Sequence, residues 1–246
     1  NYNQNFGDLR VFGGGMITHT TNEVIDRAEP DDVPEWRKQE GKPMDSRVVY
    51  LQEGIFKDQA QIDNTPHITG VTIPGDPIYK DVDDDGRITA NDRVRLYESN
   101  TPRTQFSFNM GAEYKGLELS LFFQGQTNAS VAYSGIGLMT PYIFERRWTP
   151  ENINASYPRS GASNEPSDAY TKDATFLRFK NFTLAYNLPK KWLSDLKISD
   201  AQVYLQGRNL MTWDKIKEFD MDPEGGDGVT AYPLTRVFTV GANISF

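Results

Sequence analysis

The sequence predicts an all-β chain, an antiparallel transmembrane β-barrel segment with long loops at one end, and three observations predict it. Several stretches alternate apolar and polar residues at period two, the connectors between them are alternately short and long, and no apolar run approaches the 18 or so residues of a membrane helix. Successive side chains of a strand point to opposite faces, so each alternating stretch has one greasy and one wet side.

Taken in chain order, Leu9, Val11, Gly15 and Ile17 share one parity and suggest a first strand. Glu29 to Lys42, charged and carrying Pro30, Pro34 and Trp36, reads as a connector with room for a short helix, and Arg47 to Gln52 suggests another strand. An acidic loop follows. Asp81, Asp83, Asp85, Gly86, Ile88 and Asp92 fall on the first, third, fifth, sixth, eighth and twelfth positions of a calcium loop. In that pattern the carboxylates of Asp81, Asp83, Asp85 and Asp92 and the main-chain carbonyl of Arg87 converge on one Ca2+, and Gly86 permits the sharp turn. Asp92 stands where an EF-hand has a longer, bidentate Glu, and Pro77 and Val94 to Tyr97 are not helical flanks, so the expectation is a structural ion on a β scaffold. The alternative is a solvated Asp-rich turn without an ion.

The clearest strands come next. Phe106, Phe108, Met110, Ala112 and Tyr114 oppose Gln105, Ser107, Asn109, Gly111 and Glu113; Lys115 and Gly116 make a tight turn; Leu117, Leu119, Leu121 and Phe123 then oppose Glu118, Ser120, Gln124 and Gln126, with Phe122 out of pattern. Thr127 to Thr175 is a long connector. Phe182, Leu184, Tyr186 and Leu188 alternate with Asn181, Thr183 and Asn187, and after the compact Pro189 to Asp200 turn Ala201, Val203 and Leu205 alternate with Gln202, Tyr204 and Gln206. A second long connector, Met211 to Thr235, leads to the final strand, where Phe238, Val240, Ala242, Ile244 and Phe246 face away from Thr239, Gly241, Asn243 and Ser245. Ten-residue strands suit an apolar band of about 25 Å when tilted by about 45°. The polar faces carry amides, hydroxyls and glycine rather than the Lys and Glu of an exposed sheet, and Tyr114, Tyr186 and Phe246 lie toward one rim, as an aromatic girdle does. A soluble β-sandwich shares the alternation and stays open as the alternative, in the form of a secreted calcium-dependent glycan-binding domain.

Composition narrows the field. A mean hydropathy of -0.61 does not argue against a barrel, because half of each strand faces water. The net charge of -8 and the lack of a basic face argue against a nucleic-acid partner, and the absence of cysteine removes disulfides and thiolate metal sites. His19 and His67 lack ligand partners at metal spacing, Gly13 to Gly15 is not a phosphate-binding fingerprint, and no nucleophile elbow occurs, so no enzyme is expected and no catalytic residue is nominated. Tyr142, Trp148, Tyr157, Trp213 and Tyr232 fall in the long connectors, where loop packing is favoured over substrate stacking, and Trp192 reads as an interfacial anchor.

Three runs then carry a resemblance: Asp173 to Pro189 (DATFLRFKNFTLAYNLP), Val203 to Trp213 (VYLQGRNLMTW) and Tyr232 to Phe246 (YPLTRVFTVGANISF). With Pro74 to Arg93, Tyr114 to Gly125 and Trp148 to Asn152 upstream, they resemble the C-terminal part of the SusC/RagA family of TonB-dependent outer-membrane transporters. The resemblance implies that residues 1–246 are the C-terminal portion of a 22-stranded barrel in the bacterial outer membrane, with the plug and earlier strands outside this sequence. It further implies an importer of oligosaccharides or oligopeptides, and as partners the remainder of the barrel and plug, outer-membrane lipid, a SusD-like surface lipoprotein and the TonB system.

Overall fold

A computed structural model describes residues 1–133, 140–162, 165–194, 198–225 and 234–246. In chain order its strands are β1 (Tyr2–Phe6), β2 (Leu9–His19), β3 (Val48–Val49), β4 (Gln52–Ile55), β5 (Pro77–Tyr79), β6 (Val94–Arg95) and β7 (Thr104–Tyr114). They continue with β8 (Leu117–Thr127), β9 (Ser130–Ala132), β10 (Thr171–Asp173), β11 (Phe176–Asn187), β12 (Asp200–Asp214) and β13 (Val237–Ser245). Helices are single turns: α1 (Gln59–Asp63), α2 (Pro141–Glu145) and α3 (Lys190–Leu193).

Seven strands form one antiparallel sheet in the order β1-β2-β7-β8-β11-β12-β13, and the others pair two by two inside the long connectors. Sequential strands neighbour each other throughout the large sheet, so every short turn lies at one end and every long connector at the other. The expected hairpin is present, with Tyr114 opposite Leu117. Its turn residues Lys115 (φ 48°) and Gly116 (φ 85°) both adopt the left-handed backbone that a two-residue hairpin turn requires. Upstream the outcome is mixed. Leu9 begins β2 as expected, but Tyr2–Phe6, with little alternation of its own, becomes a strand by pairing with Leu9 to Gly13. Arg47 to Gln52 is not one strand: Tyr50 exchanges backbone hydrogen bonds with Pro166 and Asp168 of another connector, which interrupts it. The Glu29 to Lys42 connector holds a single 3-10 turn, Glu35–Arg37.

The register aligns the apolar parity of every strand into rows. Phe108, Phe123 and Phe179 stand side by side, their rings stacked at 4.8 and 4.7 Å, and Leu119, Leu184, Leu205 and Val240 form the row below them. The opposite face carries Ser107, Gln124, Arg178 and Thr212 in one row and Ser120, Thr183, Gln206 and Thr239 in another. Phe122, the exception in the alternation, lies on the polar face between Asn109 and Asn181.

Burial is the reverse of a soluble domain. The apolar strand residues are mostly exposed or half-buried, Val240 exposed by 83%, Ile17 by 73% and Phe238 by 68%, whereas the buried hydrophobic clusters lie in the connectors. One cluster joins two connectors, packing Val131, Tyr133 and Ile143 against Ile216, Phe219 and Met221; the others centre on Tyr50, Tyr79 and Ile88 and on Phe56, Ile62 and Ile78. The long connectors therefore fold as a compact layer at one end of a wall one sheet thick. In the sandwich alternative the apolar rows would pack on a second sheet; among the described residues none covers them.

Leu184 and Thr183 are consecutive and face opposite sides in the middle of β11. In the protein that contains this segment, Leu184→Arg should cost about 2–4 kcal/mol of folding free energy in lipid and Thr183→Arg about 1 kcal/mol or less. Denaturant titration in vesicles reads both, and equal losses contradict the assignment of faces.

Candidate functional site

The polar face of the wall and the loop layer above it hold the chemistry. At the loop end of this face Arg178, only 2% exposed, is enclosed by the connector after β12. Its guanidinium donates to both carboxylate oxygens of Asp222 at 2.9 and 3.0 Å, to Glu224, and through Nε to Thr212 Oγ1 at 3.0 Å. Gln124 and Gln126 of β8 add amide donors to Glu224 Oε1 and the Pro223 carbonyl. Residues 222–224 thus lie across the polar face of β8, β11 and β12, and the buried Ile216, Phe219 and Met221 hold the preceding turn in the loop core. A fork-shaped, permanently charged donor suits this role because it satisfies two carboxylates at once in a site withdrawn from water.

Lower on the same face the ladder slips. β11 carries one extra residue, Lys180, relative to β8, and β12 in turn carries one extra relative to β11, passing over Asn209 and Leu210 opposite Lys180 before pairing resumes. Asn209 takes a left-handed backbone (φ 53°), and Leu210 packs over Gly207, where an added Cβ would lie 2.8 Å from Leu210 Cδ2. Alternation accordingly changes phase, with Leu177 and Phe179 but then Phe182 and Leu184 on the apolar side.

The acidic loop sits in the first long connector. Asp81, Asp83 and Asp85 bring carboxylate oxygens within 4.8 Å of one another. Asp81 is oriented by the amides of Asp85 (3.3 Å) and Gly86 (2.8 Å), and Asp85 accepts from the Arg87 amide at 2.8 Å. Asp83 Oδ1 is buried without a hydrogen-bond partner. Burial raises the Asp83 pKa, and the negative charges of Asp92, Asp85 and Asp81 raise it further. Asp92, fully buried, is used differently from the three: its two oxygens accept from Val82 N at 2.8 Å and Thr89 N at 2.7 Å, clamping the loop ends, and with Thr89 it forms a capping box. Ile88 anchors the loop in the core beside Tyr50 and Tyr79. The donor set is all oxygen, which fits a hard cation.

The remaining candidates are spread apart. His19 meets Thr104 across β2 and β7, and His67 bonds the Thr65 carbonyl, so neither belongs to a ligand cluster. Tyr142 and Tyr157 pack against one another with ring centroids 6.2 Å apart, and Trp148 lies against Gly75, so these aromatics build the loop layer. Trp213 is not a loop residue: β12 extends through it, and it faces the apolar side opposite Leu177, at the rim where an interfacial aromatic sits. Trp192 is exposed in α3, and Tyr232 lies outside the described residues. Sequence reasoning missed Arg178; its one signal was a charged residue on the polar parity of β11.

A single antiparallel sheet, apolar on one exposed face and polar on the other, with short turns and long loops segregated, is the wall of a transmembrane β-barrel. No family model matches the chain. Among curated relatives it is 32% identical over 232 residues to TonB-dependent receptor P26 of Formosa agariphila, covering 84% of this chain and 23% of that protein. It is 23% identical over 181 residues to TonB-dependent receptor SusC of Bacteroides thetaiotaomicron, covering 70% of this chain and 18% of that protein. The chain thus spans less than a quarter of either relative. A solved structure of the RagAB peptide transporter superposes with a TM-score of 0.74 at 24% identity, over 99% of this chain and 28% of the other. The chain is thus similar over most of its length to a part of TonB-dependent receptors, SusC among them, and shares with RagAB the fold of a β-barrel segment.

Removing the Arg178 charge leaves two carboxylates without their cation. Arg178→Met should loosen the 215–225 connector by about 2–3 kcal/mol, below the 3–5 typical of a broken buried pair because Glu224 keeps contact with water. Hydrogen exchange of the Phe219 and Met221 amides measures it; unchanged protection would show that the loop core alone holds the segment.

Proposed function

We propose that this chain is the C-terminal wall segment of an importer in the bacterial outer membrane, with the plug and remaining strands contributed by the rest of the protein. The observation that carries this reading is the uncovered apolar face of the seven-stranded sheet. An apolar surface of this extent is rare on a water-soluble monomer, and lipid is the solvent that suits it. The short turns then face the periplasm and the loop layer faces outward, where a SusD-like lipoprotein docks. Oligosaccharides or oligopeptides cross a lumen lined by the polar face, energised through TonB acting on the plug, and the segment's own role is structural rather than catalytic. The names of the relatives, two TonB-dependent receptors and a peptide transporter, support this direction. The test is uptake of labelled oligosaccharides and oligopeptides by cells expressing the whole protein. Uptake of one class should vanish when the proton-motive force is dissipated, and recovery of the protein from the soluble fraction would end the proposal.

The acidic loop takes a structural calcium ion in this reading, held by Asp81, Asp83 and Asp85 with the Arg87 carbonyl, while Asp92 clamps the loop ends through Val82 N and Thr89 N rather than joining the ligand set. The orphaned Asp83 oxygen and the mutual repulsion of the carboxylates support it. The ion would staple the loop to the Ile88 core and do no chemistry. Because the Asp83 pKa is raised on folding, ionising it opposes the folded loop; without divalent cation, loop stability should rise as pH falls through that raised pKa. Millimolar calcium should abolish this acid gain, read by proteolysis within 80–93 from about pH 4 to about pH 7, the range in which a raised carboxylate titrates. No calorimetric heat on adding calcium to the chelated protein would remove the ion.

A further inference from the structure

We infer that the paired slips in β11 and β12 build an anion-binding ledge on the polar face, specific for the carboxylate or sulfate groups of an oligomeric substrate; this rests on the polar face being the lumen. In regular alternation only every second residue of a strand reaches one face. Here the extra residue of β11 puts Lys180 and Asn181 on the polar side in succession, and the matching slip in β12 brings Arg208 and Asn209 opposite them. Together with Thr183 and Gln206 they wall an open concavity of about 430 Å³.

The chemistry of the walls is one-sided. Two cations, three amides and a hydroxyl surround the space together with Phe182 and Gly207, and none of the described lining residues is acidic. Lys180 Nζ donates only to the neutral Gln124 Oε1, at 2.8 Å, and Arg208 forms no ion pair among the described residues. Asp222 and Glu224 are bound to Arg178, and Gln124 stands between Glu224 and Lys180. Among the described residues the positive charge of the ledge is therefore not cancelled, and a planar carboxylate or a sulfate meets a fork-shaped donor, an ammonium and side-chain amides at once. Bulges recur where a strand must re-aim side chains at a ligand, and this pair spends ladder hydrogen bonds to do so.

The test uses the whole receptor in detergent. Fluorescence anisotropy compares labelled tri-galacturonate with maltotriose, and a triglutamate with a triglutamine peptide, so that an acidic saccharide and an acidic peptide are told apart. One acidic probe should bind about tenfold more tightly than its neutral counterpart, corresponding to one charge-assisted pair. The preference should shrink to about twofold in Lys180→Gln/Arg208→Gln and decline with added salt in the unaltered protein. No acidic preference in the unaltered receptor overturns the ledge, as does a preference that survives both substitutions. Lost heat stability with unchanged preference also overturns it, assigning the cations to an acidic segment of the protein itself. Labelling separates the two readings: an impermeant maleimide should modify Thr183→Cys and not Leu184→Cys. If it does so while no anion preference is seen, only the ledge fails; if Thr183→Cys is inaccessible, the lumen reading fails with it.

Discussion

In hydrocarbon no solvent satisfies an unpaired peptide group, so a membrane-crossing chain must close its backbone hydrogen bonds on itself, and this requirement governs the rest of the molecule. The seven-stranded sheet meets it with ladders that run nearly the full length of each strand. Pairing sequential strands needs only tight turns at one end, such as the left-handed Lys115 and Gly116. The outer edges of β1 and β13 have no neighbour among the described strands, which is why a segment of this kind depends on further strands to complete it.

A wall with lipid on one side and water on the other has no interior of its own, and the distribution of burial follows from that. Hydrophobic collapse is confined to the connectors, where Tyr133 meets Phe219 across two of them and Tyr50 stacks on Tyr79 at 4.7 Å. The loop layer and the wall are then joined by polar links, chief among them Arg178 with Asp222 and Glu224. Burying that guanidinium is tolerable because Thr212 and the two carboxylates satisfy most of its donors, with the Phe176 ring 5.0 Å away.

Departures from the regular ladder are concentrated on the polar side of β11 and β12. The apolar rows tolerate the slip because Leu210 closes over Gly207 and the phase change returns Phe182 and Leu184 to the lipid side. A local irregularity thus alters what the lumen presents while the surface offered to lipid stays continuous.

Much of this was legible in the chain. Period two at Gln105 to Tyr114 and Val237 to Ser245, the Lys-Gly turn and the spacing of Asp81, Asp83 and Asp85 each express a local rule, so the strands, the hairpin and three members of the acidic cluster could be read directly. Where the outcome depended on distant partners, reading failed. Tyr2–Phe6 is a strand because β2 is beside it, Arg47 to Gln52 is broken because Tyr50 bonds to residues more than a hundred positions away, and Asp92 serves the loop amides because the fold turns its carboxylate toward them. Alternation fixes which face a residue takes within its own strand, but burial of Arg178 and the meeting of Lys180 with Arg208 arise only when separate strands and connectors are brought together in register.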